Sequence, residues 1–226
     1  MSKKYLKSRA RVGTRGFMLA GAMVLAWVNL GMPTTLTTFT PEAWNKALAP
    51  SALLLVAIIA AALDSVPGHD LKARLVFWRW KHPLPGSRAF QRAGLARDTR
   101  IDRTRLKERM GGSFPLGPAD QNAAWYRLYK DVEHDPRVDG AQLDYLLFRD
   151  LTWFALLLAV ASVICAIVNP AARNGSLWST AAFSALTFTF SRAAAERGVR
   201  FVNTVLALTS AMPSSSETDG TKQRVA

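Results

Sequence analysis

The sequence predicts an all-α polytopic membrane protein, with four transmembrane helices and a helical cytoplasmic insert between spans two and three. Three observations predict it. The apolar residues gather into four blocks that carry no charge, basic and nearly neutral segments alternate between those blocks, and the long charged stretch shows helical periodicity.

The blocks are "GFMLAGAMVLAWVNLGM" (16–32), "APSALLLVAIIAAAL" (49–63), "LTWFALLLAVASVICAIV" (151–168) and "SLWSTAAFSALTFTF" (176–190). The third has 18 residues, the usual length for a transmembrane helix. The others would reach about 22 to 26 Å as helix, so they cross a ~30 Å hydrocarbon layer only with help from flanking residues, spans two and four least securely. A core helix of a soluble bundle would carry a polar face, and these do not. The basic start also suits a secretory signal, but no small-x-small cleavage site follows it, and Ala47-Leu48-Ala49 runs into Pro50.

The chain carries 29 Lys and Arg against 16 Asp and Glu. Where they fall matters more than the total. Residues 1–16 hold six basic side chains and no acid, the 33–50 connection holds only Lys46 against Glu42, and residues 65–150 hold sixteen basic residues. The 169–175 connection holds Arg173 alone, and five follow after 191. Basic loops stay on the cytoplasmic side, which places both termini and the 65–150 segment there, in an inner membrane. Cys165 is the single cysteine and lies mid-span, so there is no disulfide framework and no thiolate metal site.

The expected organisation is a basic cytoplasmic N-terminus (1–15), a hairpin of spans one and two (16–64), the insert (65–150), a hairpin of spans three and four (151–191), an amphipathic cytoplasmic helix (192–212) and a disordered polar tail (213–226). Arg192, Glu196 and Arg200 form a charged row on the fifth segment, which can leave the bilayer and lie against the insert or the membrane surface. Within the insert, "GPADQNAAWYRLYKDVEHDP" predicts a helix that starts at Gly117-Pro118 and ends at Asp135-Pro136, with Trp125, Leu128, Tyr129 and Val132 as its apolar stripe. A short repeat frames it. "DTRIDRTRL" (98–106) and "DPRVDGAQL" (135–143) share D-x-R-[I/V]-D-x-x-x-L, which reads as two helix starts with Arg100 and Arg137 paired locally. Asp139 with Gln142 resembles a capping box for a helix running on into the third span.

The stretch "LKARLVFWRWKHPLPG" (71–86) predicts a helix stopped by Pro83 and Pro85. On a wheel, Leu71, Leu75 and Trp78 share one face and Ala73, Val76, Phe77 and Trp80 the opposite one, with Lys72 and Arg79 on one flank and Arg74 and Lys81 on the other. This pattern suits a helix between headgroups and protein, with Trp78 towards lipid and Trp80 towards protein. The candidate contacts for anionic lipid or a cytoplasmic protein partner are Lys72, Arg74, Trp78, Arg79, Trp80, Arg100, Arg103 and Arg105. Interleaved aromatic and basic residues also suit a nucleic-acid strand, but positive charge is expected beside a span in any case, and nucleic acid is the disfavoured partner.

No chemistry of an enzyme is legible. His69, His82 and His134 are widely spaced without ligand partners, and Ser87 lacks the G-x-S-x-G surroundings of a nucleophile. No phosphate-binding glycine motif occurs, and Gly111-Gly112 reads as a helix stop. No cofactor or metal is expected. The blocks carry no charged residue to mark an ion path. Small residues at i, i+4 (Gly16 and Ala20, Ala22 and Ala26, Ala57 and Ala61, Ala181 and Ala185) allow close helix contact, within the chain or in a homo-oligomer. The expected role is a non-enzymatic membrane protein whose insert senses or docks a partner, in one form a membrane-disrupting effector of a bacterial defence or toxin-like module. The competing class is a small channel or transporter with a housekeeping substrate.

Overall fold

The computed structural model describes residues 16–18, 20–23, 67–91, 95 and 98–212, and among these there are helices and turns but no strand. The N-terminus 1–15, most of the first expected span, all of the second (49–63) and the tail 213–226 lie outside the described residues. Residues 16–18 and 20–23 are helical. Five helices follow: α1 (His69–Phe77), α2 (Arg103–Arg109), α3 (Pro118–Val132), α4 (Pro136–Val168) and α5 (Arg173–Ala211). The chain forms two compact units, Met1–Val76 with Leu146–Ala194, and Phe77–Tyr145 with Ala195–Ala226. Each of the two long helices, α4 and α5, supplies residues to both.

In the second unit the sequence logic of α3 holds. Gly117 is the extended N-cap and Pro118, whose missing N–H would be unpaired there anyway, opens the helix. Trp125, Leu128 and Val132 are buried and Tyr129 packs against them. They join Phe90, Leu95, Ile101, Leu106 and Val138, with Phe201, Val202, Val205 and Leu206 of α5 closing the core. The expected amphipathic helix over 192–212 is thus the last part of α5, and its apolar residues pack on this core. Gly111 and Gly112, at φ 77° and 91°, end α2 as expected, and the Gly112 N–H donates to Lys107 O at 2.9 Å.

The repeat is a repeated clasp. Arg100 donates from its backbone N–H and Nε to Asp98 Oδ1 (3.2 and 2.9 Å) and from Nη2 to Oδ2 (2.7 Å). Arg137 makes the same three bonds to Asp135, at 2.8, 3.0 and 2.8 Å. Ile101 and Val138 are both buried behind their clasps. The copies then diverge. Asp102 caps α2, accepting from the N–H groups of Thr104 and Arg105. In the second copy the helix begins earlier, at Pro136, so Asp139 lies inside α4 and is not its cap. Proline at the first helical position is favoured, and Asp135 supplies the acceptor that the expected capping box assigned to Asp139.

The first unit packs Met18, Phe154, Leu158, Ala159 and Phe183 into its own core, flanked by Phe17, Trp153, Leu157 and Leu186. The Cβ that Gly21 lacks would overlap the Leu158 side chain, so a glycine lets the N-terminal helical segment approach α4 closely. The continuous helix expected from the second repeat into the third apolar block is present: α4 has 33 residues, about 50 Å. It is the one helix among the described residues that is long and apolar enough to cross a membrane. The fourth block forms the early part of the 39-residue α5 and includes six Ser and Thr, which lower its hydropathy.

Candidate functional site

Two polar arrangements stand out, one in each unit. In the first unit, Asp150 ends the charged approach to the apolar block of α4. Its Oδ1 accepts from Lys72 Nζ of α1 at 3.3 Å and from Arg149 Nε and Nη2 at 3.0 and 2.9 Å. Arg149 Nη1 lies 3.0 Å from His69 Nδ1. A guanidinium only donates, so Nδ1 accepts and the imidazole proton sits on Nε2. Lys72 is 4% exposed and Arg149 7%. The wheel put Lys72 on one flank with Arg79 as a lipid or partner contact, and the structure buries it instead. A carboxylate 78 residues along the chain draws the ammonium inward, where an unpaired charge would be costly. The sequence reading missed Arg149. The available signal was the adjacent Arg-Asp pair immediately before an uncharged block.

The second unit holds the tryptophan loop. α1 stops at Phe77, four residues short of Lys81, so Trp78 and Trp80 do not occupy helical faces. Trp78 turns the chain with φ 53° and His82 with φ 48°, a left-handed conformation uncommon outside glycine. Trp78 is 70% and Trp80 79% exposed, so the expected packing of Trp80 on protein is not what the chain does. Once the helix ends, the 100° step that set the two indoles on opposite faces no longer applies. Arg79 is half-buried with its guanidinium 5.7 Å from the Phe77 ring centroid. Burial, and then the nearby Arg88, hold its pKa below the ordinary arginine value.

The turn Pro85–Arg88 anchors this loop. Gly86 and Ser87 are buried, and a Cβ on Gly86 would come within 2.6 Å of Asn122 Oδ1 and 2.7 Å of the Trp125 ring on α3. Gln121 locks the next step, accepting from the Phe90 N–H at 3.3 Å and donating to Leu116 O at 3.2 Å. Ser87 is therefore a packed turn residue, its N–H donating to Leu84 O.

The remaining candidates are exposed. Arg74 lies on α1 in the first unit. In the second unit Arg100 is committed to its clasp, Arg103 donates from Nε to Leu95 O at 3.2 Å, and Arg105 lies 3.7 Å from Asp102. Part of their donor capacity fixes the chain around α2 and part faces outward. Among the described residues no three His, Cys, Asp or Glu lie together in a way that could hold a metal ion. No family model, curated protein or solved structure matches this chain.

Proposed function

We propose that the chain is a non-enzymatic, multi-pass inner-membrane protein with four spans (16–32, 49–63, 151–168 and 176–190) and cytoplasmic termini, whose insert (65–150) docks a cytoplasmic partner. The observation that supports this reading is the burial pattern of the first unit. Val160, Val163, Ile164, Ile167 and Val168 of α4, with Leu177, Trp178 and Phe188 of α5, are exposed, while Thr152, Ala155, Ala159, Ser162, Ser176 and Ser179 are buried. A band of large apolar groups outside, with small and hydroxyl groups beside Phe154, Leu158 and Phe183 inside, suits a lipid solvent, where the driving force for association is close packing. Apart from the buried Ser176 Oγ, which has no partner among the described residues, most of these hydroxyls bond within their own helix. Thr152, Ser162, Ser179, Thr180, Thr187 and Thr189 each donate to the carbonyl four residues back, at 2.7 to 3.0 Å.

Because α4 and α5 each supply residues to both units, they are the chain segments that connect a partner-docking insert to the spans. In one form of this role, a homo-oligomer of the spans opens the membrane as a defence or toxin-like effector. Topology reporters test the frame: fusions after Ala226 or near Gly111 should report cytoplasm, and those near Thr38 or Gly175 periplasm. A periplasmic signal near Gly111 would overturn it. The effector form has a separate readout. Overproduction should collapse the membrane potential, and cells that keep it would sink that form while leaving the topology intact.

A further inference from the structure

We infer that the loop from Trp78 to Arg88 is a docking site for the phosphodiester headgroups of an anionic lipid surface. In this arrangement the indoles of Trp78 and Trp80 enter the headgroup layer, and the Arg79 and Arg88 guanidiniums meet the phosphates. The inference rests on the membrane reading above and assigns it a lipid partner.

The loop exposes two tryptophans in succession, an unusual outlay of apolar surface for a segment of a dozen residues whose neighbours Ala89 and Phe90 are buried. The exposure is built into the backbone. A tryptophan occupies the left-handed position after α1, where glycine would turn the chain with less strain, and the turn throws its indole outward. The platform beneath is firm, since Gly86 seats against α3 and Gln121 holds the Phe90 N–H. Arg88 therefore projects from a fixed turn.

The charge is complementary to phosphate. Arg88 lies near enough to Arg79 to oppose its charge, while Arg79 is half-buried and Arg88 exposed. Neither arginine forms an ion pair among the described residues. Lys81 and His82 are exposed alongside. Guanidiniums bond phosphate oxygens through charge-assisted hydrogen bonds, and indoles favour the headgroup depth. The loop begins fifteen positions after Leu63, where the second apolar block ends, so the headgroup layer is within reach along the chain. A nucleic-acid strand would offer the same phosphates but lies on no membrane surface, and the chain position favours lipid.

The test uses the full chain in nanodiscs containing either brominated phosphatidylglycerol or brominated phosphatidylcholine, read by tryptophan quenching. Wild type should be quenched at lower mole fraction by the anionic lipid. Trp78→Phe with Trp80→Phe should remove the lipid-selective part of the quench. Arg79→Gln and Arg88→Gln should each cut the preference about fivefold, with folding checked by circular dichroism. Equal quenching of wild type by the two lipids would overturn the inference while carbonate-resistant membrane retention kept the membrane reading intact. Release of the wild type by carbonate would sink both. Displacement of the phosphatidylglycerol-selective quench by a single-stranded oligonucleotide at physiological salt would overturn the lipid assignment in favour of nucleic acid.

Discussion

The two units draw on the same two helices but leave different amounts of apolar surface exposed. In the second, Phe90, Leu106, Trp125, Leu128, Phe201 and Leu206 are buried, and the clasp arginines Arg100 and Arg137 stay outside. In the first, Val160, Val163, Ile164, Ile167 and Val168 of α4 and Leu177, Trp178 and Phe188 of α5 face outward, while Phe154, Leu158 and Phe183 pack inside together with alanines, serines, threonines and a glycine. The apolar content of α4 alone would not reveal this difference. Where each side chain points reveals it, and the change occurs within single unbroken helices. The same two helices thus cover their apolar stripe in one unit and leave much of it exposed in the other, as the proposed lipid contact would require.

The comparison can be broken most sharply at its largest buried group. Trp125 stacks on Tyr129 and meets Phe201 edge-on, so Trp125→Ala should cost about 3 to 5 kcal/mol, read as a lowered unfolding midpoint of the detergent-solubilised chain. An unchanged midpoint would mean that the second unit lacks the water-type core described. Next comes the outward face of α4. Ile164→Lys should cost about 3 kcal/mol of insertion and deplete the membrane-integrated fraction, whereas a soluble unit would tolerate a lysine at an exposed position.

Smaller effects sharpen the comparison. Gly86→Ala has no room beside Asn122 and Trp125 and should destabilise by about 1 to 3 kcal/mol, seen as faster hydrogen exchange along α3. The clasps should give the smallest effect, and it depends on pH. Hydrogen bonds from the Arg100 side chain lower the Asp98 carboxyl below its ordinary value, against a modest opposing effect of burial, and Arg137 does the same for Asp135. A depressed folded value means that the stabilisation is present above the ordinary aspartate range near about 4, and is lost as pH falls through the folded value. Melting of wild type and Asp98→Asn should therefore converge as pH falls below the ordinary aspartate range and through the depressed folded value of Asp98. Parallel curves would show that the clasp carries no linked stability.

Much of the helical framework was legible because local chemistry dictates it. Gly117-Pro118 fixes the start of α3, the Gly111-Gly112 pair ends α2, and the repeat marks two clasps, since each depends on neighbours within a few residues. The α1 register and the Lys72 placement were not legible, because both depend on distant chain. A wheel extends a helix until a proline stops it, yet α1 ends earlier, at a tryptophan in a left-handed conformation that no propensity favours. Lys72 turns inward for Asp150, and Arg149 joins it, a partnership of residues far apart in sequence and brought together only by helix packing. The capping error at Asp139 was of a different kind. Two aspartates four residues apart both offered acceptors, and the proline after Asp135 decided between them.

The missing side chain of Gly21 also has a consequence for inheritance. Because the space it leaves is filled by Leu158, the two positions are not free to vary independently. A descendant that gained a methyl at position 21 would have to move the end of the Leu158 side chain or shorten it, so a larger residue 158 keeps glycine favoured at 21. Drift at this crossing should therefore run in paired steps, with valine or alanine at 158 accompanying alanine at 21. A homologue carrying alanine at 21 and an untouched leucine at 158 would have had to turn that leucine aside or move one helix away from the other.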